Sequence, residues 1–490
     1  MRTPADEADT RGTPRAALVA ACLGLFTVFL QTTQTIGTLS AVQDDLGLAA
    51  ADLVWVPSMY TLVVASFVLG AGALADRWGR RRTFVAGAAA MAAGGVILVL
   101  ATGLPAVLAG QAVAGLGGAL ITPSSLALVT HAHPDPRRRA GAISVWAGTS
   151  GLGLAIGPVT GGLALRWWDW HAAFWLGPAV AVLAVFVALR YVGESRVPGG
   201  RPDWAGQVLG TAGLALLIYW LIDGGHHGYT SGRALVCVVA AVVLLAAFAA
   251  AELRREHPMV DLRLARDPSY SASLLLASTV LFGFVGLALI QVLWLQRVQG
   301  LTALEVGTRL LAEFGLFIVA SVVAGIAQRR LGPRPLIIGG LLLAAVGAGL
   351  FATVSPGDTF PDYLAAFAVF GFGCGLANAP STALAVSHVP RGREGEAGGA
   401  VNAARQVGAV LGTSILGTLL TSRTASGLAA GADPATAFTD AVRRTAWTGA
   451  TVLLAATAAA LGLLALSGRR SARPGKAPVE EPAPRVATPL

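Results

Sequence analysis

Of the 26 Asp and Glu residues in this 490-residue chain, Glu313 alone lies well inside a long apolar run. A carboxyl at that depth can bind and release a proton away from bulk water, and ionisable groups inside such runs are functional candidates on that ground. Arg309 is four residues earlier on the same helical face. Two readings stand for them: a protonatable pair facing a cavity, or a buried structural ion pair. Asn402, Arg405 and Gln406 form a second polar island, suited to substrate or bundle contact or to a helix-end salt bridge near Glu394 or Glu396. Asn378, just before Pro380, is a candidate of the same kind.

Other chemistries find no footing. The seven histidines, at 131, 133, 171, 226, 227, 257 and 388, avoid the centres of apolar runs, and the adjacent His226 and His227 lack the further ligands a metal needs. No metal site is expected. Cys22, Cys237 and Cys374 all fall in apolar runs, which excludes a disulfide framework and a cysteine-based zinc site. No Gly-x-x-x-x-Gly-Lys phosphate loop occurs, so ATP hydrolysis by the chain itself and a bound cofactor are not expected. With no convergent nucleophile, base or metal cluster, a membrane-embedded enzyme ranks last.

The elements that carry these residues follow from composition. With 55% hydrophobic and 12% charged residues, the chain belongs in a bilayer. Fourteen apolar stretches recur along it, each about 17 to 25 residues long. They lack the alternation of a barrel strand, so each is read as an α-helix. The first follows acidic Asp6, Glu7 and Asp9 and lies far from any small-residue cleavage site, so it is read as a retained helix. With the N-terminus inside, the inner segments hold 27 Lys and Arg against six outside, which predicts two cytoplasmic termini. Trp167, Trp168, Trp170 and Trp175 mark one outer boundary as interfacial anchors. The net charge of +9 is spread over short loops, which argues against nucleic acid.

The chain also echoes itself. Gly72, Arg77, Gly79 and Arg81 follow the second apolar run, and Gly325, Arg330, Gly332 and Arg334 follow the tenth at a constant offset of 253. This predicts a duplicated bundle. The predicted organisation is a cytoplasmic N-terminus (1–15), a six-helix bundle (16–203), two linker helices (204–268), a second six-helix bundle (269–470) and a disordered, proline-bearing tail (471–490).

Gly72-Ala-Leu-Ala-Asp76-Arg77-Trp78-Gly79-Arg80-Arg81-Arg82 resembles, over its whole length, the cytoplasmic signature of the major facilitator superfamily. Gly72 permits close helix approach, while Asp76 and the arginines can engage helix ends and partner charges, so this loop can latch two bundles together. Gly153-Leu-Ala-Ile-Gly157-Pro158-Val-Thr-Gly161-Gly162 resembles the antiporter signature of that superfamily, in which glycines bring backbones together and the proline removes a donor. The run from Trp294 to Gly307 and the run from Asn402 to Gly408 resemble segments of its fourteen-helix drug:proton antiporter branch. The resemblance implies an all-α polytopic major facilitator fold, with two six-helix bundles rocking around a central cavity and expelling amphipathic compounds in exchange for protons.

Two departures stand out. The first run matches the family pattern through Gln43, Asp45 and Gly47, but carries Gln31 where the family usually has an acid, and Ile36 and Ser40 where it has Asn and Pro. In the fourth, Gln111 stands where the motif usually begins with Arg, ahead of Ala114, Gly115 and Gly117. Losing both charges leaves two neutral amides able to hydrogen-bond. Gln31 and Gln111 are therefore expected in one polar cluster near the cavity, with Thr35 beside them, and neutral or weakly charged substrates are favoured. The expected protein is a monomeric exporter in a bacterial cytoplasmic membrane, a GC-rich source being indicated by a single lysine, Lys476, against 34 arginines. A proton-independent facilitator or symporter of a small metabolite, and a transport-dead sensor or partner, remain open beside it.

Overall fold

The computed structural model describes residues 13–48, 55–196, 204–227, 229, 231–255, 262–389 and 394–471. The expected tail from 472 and the first twelve residues lie outside the described residues, as do the side chains of His226, His227, Glu394 and Glu396. No strand occurs among the described residues. The long helices are α1 Pro14–Leu46, α2 Trp55–Trp78, α3 Arg80–Val99, α4 Leu104–Ala132, α5 Pro136–Trp167, α6 Leu176–Tyr191, α7 Trp204–His227 and α8 Gly232–Arg254. They continue with α9 Pro268–Arg297, α10 Ala303–Leu331, α11 Pro333–Phe351, α12 Phe360–Ser387, α13 Glu394–Ala429 and α14 Pro434–Ser471.

Among the described residues twelve helices are long and apolar enough to cross a bilayer, and α2 makes a thirteenth if its two parts, Trp55–Val68 and Gly70–Trp78, form one span. The remaining helix, α7, carries the apolar stretch Ala205–Trp220 within its 24 residues, and that stretch ends just before Leu221 and Ile222, whose side chains lie outside the described residues. Helix starts are written locally. Thr13, Asp135 and Asp267 each precede a proline and accept a hydrogen bond from the first turn of α1, α5 and α9. Thr302 with Glu305 and Thr359 with Asp362 form reciprocal capping boxes that open α10 and α12.

Packing repeats at an offset of eight helices. α1 packs on α4, α5 and α6 as α9 packs on α12, α13 and α14; α2 with α4, and α3 with α4 and α6, match α10 with α12, and α11 with α12 and α14. The turns repeat too. Gly79 (φ 123) and Gly332 (φ 76) sit in the left-handed region between the second and third helix of each half. Gly47 (φ 60) and Gly300 (φ 65) do the same after the first helix of each half, at the same offset of 253. The halves meet chiefly where α5 packs on α10 and α2 on α13. α7 contacts both α2 and α13, whereas α8 packs mainly on α7 and leaves Val236, Val239, Val242 and Val243 exposed, as suits a lipid-facing helix.

Candidate functional site

Between the halves lies a cavity of about 400 Å³, lined by Thr35, Tyr60, Leu289, Arg297, Thr413 and Thr421 among others. Its walls come from the C-terminal halves of α1, α9 and α13 and the N-terminal part of α2. It therefore lies away from the arginine-rich end that carries the α2–α3 and α10–α11 turns, and it reaches the surface at exposed Arg297 and Thr421. A side lobe of about 100 Å³ reaches Pro158 on α5 and Leu310 and Phe314 on α10.

Towards the arginine-rich end the halves close together. Gln328 on α10 donates to the Ala140 carbonyl and to Ser144 Oγ of α5, both at 3.4 Å. A Cβ on Gly141 would lie 2.6 Å from Arg329 Nη2, and one on Gly398 would lie 3.3 Å from Leu126 Cδ2 of α4. Sequence reasoning missed this seam, because Ser144 and Gln328 carry no motif and their pairing depends on how α5 crosses α10.

Gln31 and Gln111 meet. Gln31 Nε2 donates to Gln111 Oε1 at 3.2 Å, Gln111 Nε2 donates to Thr35 Oγ1 at 2.9 Å, and Thr35 Oγ1 donates to the Gln31 carbonyl at 2.8 Å. Both amides are buried, and of the three only Thr35 lines the cavity. Gln31 and Gln111 thus form the expected polar cluster beside the cavity without lining it themselves. Two groups that the sequence did not single out belong here as well. Gln34 Nε2 bridges Thr160 Oγ1 (3.0 Å) and the Ala173 carbonyl (2.8 Å), and cavity-lining Tyr60 donates to the Val28 carbonyl at 2.8 Å.

The expected pairing of Arg309 with Glu313 is not formed. Arg309 donates to Tyr363 Oη and lies over the rings of Phe360 and Tyr363 at the start of α12. Aromatic faces and a phenol hold a guanidinium well, and a long side chain can leave the face its Cβ defines. Glu313 is fully buried, and neither carboxyl oxygen has a hydrogen-bond partner. Gln291 on α9 lies within interaction range without a hydrogen bond of good geometry, and Cys374 on α12 is also near. Leu310 and Phe314 line the side lobe and Glu313 does not.

Arg405 is bound to α12 rather than to its own helix end. Its Nη2 donates to the Asn378 carbonyl (2.9 Å), Asn378 Oδ1 (2.7 Å) and Thr382 Oγ1 (2.7 Å). The expected helix-end bridge would fall on Glu394 or Glu396, whose side chains lie outside the described residues. Asn402 donates to the Gly398 carbonyl at 2.8 Å. Asn378, Asn402 and Arg405 all line a closed space of about 10 Å³ between the halves.

At the arginine-rich turn, Arg80 pairs with Asp76 at 3.1 Å, and the backbone amides of Arg81 and Arg82 donate to the Glu194 carboxylate at 3.1 and 3.2 Å. Glu194, on the segment after α6, thereby caps the N-terminus of α3, where a negative charge is favoured. Asp76, Arg77 and Arg80 make further polar contacts, and Gly72 is buried in α2. In α5, Gly153 and Gly157 seat α1, Gly162 seats Leu304 of α10, and Pro158 packs against Gly307 within an unbroken helix. A Cβ at Gly153 would come within 2.6 Å of the Phe26 carbonyl oxygen, whereas one at Gly161 would stop 3.5 Å from Thr38. Gly153→Val should therefore destabilise by about 1–3 kcal/mol or more, and Gly161→Ala should be nearly neutral. Thermal unfolding of the two variants in detergent would test the contrast; equal shifts would count against α5 being the tight seam at Gly153.

Among the described residues no group of three or more His, Cys, Asp or Glu could hold a metal ion. The family model of the Major Facilitator Superfamily matches residues 21–413. The chain is 32% identical over 404 residues to the multidrug resistance protein Stp of Mycobacterium tuberculosis, covering 82% of this chain and 75% of that one. It is 33% identical to the tetracenomycin C resistance and export protein of Streptomyces glaucescens, covering 84% and 77%. Among solved structures, the human organic anion transporter MFSD10 (TETRAN) superposes with a TM-score of 0.68 at 15% identity, covering 91% of this chain and 99% of that one, a likeness of fold alone.

Proposed function

The chain belongs to the major facilitator superfamily, and we propose that it is a secondary transporter that exports amphipathic drugs or natural products across a bacterial cytoplasmic membrane in exchange for protons. The observation that carries this reading is the cavity of about 400 Å³ between two similarly packed halves, approached from one end and shut at the other by the α5–α10 seam. Such an arrangement suits rocking of one half on the other around a central site. Relatives named for drug resistance and export, about a third identical over most of the chain, support the direction and the class of cargo.

In this reading residues 16–203 and 269–470 are the moving bundles, 204–268 the linker pair, and 1–15 and 471–490 the terminal segments. Both termini and the arginine-rich turns face the cytoplasm, in keeping with 27 Lys and Arg on that side against six. The cavity is then on the outer side, and the loop from Gly72 to Arg82 with Gly79 is the latch of the closed inner side. Thr35 contributes to binding directly, Gln31 and Gln111 set its orientation, and Glu313 carries the coupling proton. The working unit is a monomer in lipid.

Everted membrane vesicles containing the chain should accumulate a neutral amphipathic dye such as Nile red on acidification of their lumen. Accumulation should stop when a protonophore collapses the gradient. The neutral Gln31–Gln111 pair favours one other reading, a proton-independent facilitator or symporter of a small metabolite. Transport that survives the protonophore would select it and reject antiport.

A further inference from the structure

Arg405 is 7% exposed, and its three acceptors, the Asn378 carbonyl, Asn378 Oδ1 and Thr382 Oγ1, are all neutral. Its Nε has no partner, and no carboxylate among the described residues pairs with it. A guanidinium buried without a counter-ion is costly. The cost is not needed to tie the helices. In the first half, Trp146 Nε1 on α5 donates to Ser125 Oγ of α4 at 3.0 Å, and Ser125 stands two residues after the in-helix Pro123. In the second half, Arg405 on α13 donates to Thr382, which stands two residues after the in-helix Pro380 of α12. A neutral indole makes the same interhelical tie in the equivalent helix pair, so the positive charge on α13 has another task.

The closed space beside Arg405 names the task. It is walled by Phe29 and Trp146 from the first half and by Phe284 and Phe317 from the second, with Asn378 and Asn402 beside the guanidinium. At about 10 Å³ it holds no more than a water in this conformation. Its walls come from both halves, so it enlarges when they part at the arginine-rich end. We infer that Arg405 is the recognition group for the acidic oxygen of an anionic aromatic substrate, a carboxylate or phenolate on a flat ring system, which binds when that end is open. A guanidinium meets such oxygens with strong, directed hydrogen bonds, and the surrounding rings stack on the substrate's. This rests on the transport reading above and narrows its cargo from neutral or weakly charged compounds to weak acids. An incoming anion would supply the counter-ion that Arg405, bound only to neutral acceptors, lacks among the described residues.

The test uses the full chain in lipid nanodiscs with two matched probes, anthraquinone-2-carboxylate and anthraquinone-2-carboxamide. Wild type should bind the carboxylate at least about tenfold more tightly, the scale of one charge-assisted hydrogen bond. Asn378→Asp is close to isosteric and keeps the contact to Nη2 while supplying an internal counter-ion. It should bring the preference to within about twofold and raise the thermal unfolding temperature, so a loss of folding cannot explain the result. Arg405→Gln should lose the preference as well, and Arg405→Lys should keep part of it. Equal affinity of wild type for the two probes, or a preference retained in Asn378→Asp, overturns the inference. If proteoliposomes move the carboxamide and the neutral dye without favouring the carboxylate, only the anion assignment falls; if they move none of the three, the transport reading falls with it.

Discussion

Proteoliposomes carrying Glu313→Gln should show no substrate-triggered proton movement, a drop of at least about tenfold from wild type, the scale that removal of an essential proton-transfer group commands. Gln keeps the size and shape of Glu, so the packing of α10 against Gly371 and Gly375 of α12, where backbones nearly touch, is preserved. What disappears is the one carboxyl among the described residues that lies buried in the centre of a long helix. The other buried acids of the described residues, Asp76, Asp223 and Glu252, lie within five residues of a helix end. Since Arg309 is engaged by Tyr363 and Phe360, Arg309→Gln should leave the proton signal largely intact. The ion-pair reading predicts the opposite, that either change has the same effect. A fluorescent pH indicator inside the vesicles reads both variants, and an undiminished signal in Glu313→Gln would remove this carboxyl from the coupling path.

Much of the architecture could be read from local chemistry. Thr13-Pro14, Asp135-Pro136 and Asp267-Pro268 announce three helix starts, and Gly79 with Gly332 marks the duplicated turn, because capping and positive φ are decided within a few residues. Gln31 and Gln111 could be paired from the sequence because two charges were missing together. What stayed hidden depends on helix crossing. The tie between Gln328 and Ser144 spans 184 residues, and Gln34 reaches Thr160 across 126; no periodicity encodes either. The pairing of Arg309 with Glu313 fails for a related reason. A spacing of four places two Cβ atoms on one face, but the longer side chain turns to the richer partner on a neighbouring helix.

Restoring the absent charges one at a time should cost far more than restoring them together. Gln31→Glu alone would place a carboxylate against the Gln111 amide in a site where Gln31 is 4% and Gln111 0% exposed. Gln111→Arg alone would leave a guanidinium there with no acid facing it. Each single change should destabilise by about 3–5 kcal/mol, the cost of an uncompensated buried charge. In the double variant the carboxylate and guanidinium take over the 3.2 Å contact that the two amides now make, and should recover about 1–3 kcal/mol as coupling. Thermal unfolding of the four proteins in one detergent closes the cycle. Additive losses would mean that the two side chains do not act as one unit, despite their contact. Positive coupling would show that the site accepts either a neutral or a charged pair but not a mixed one. In that case the neutral pair here is a matched replacement, made in the first bundle while the carboxyl that can titrate, Glu313, is carried by the second.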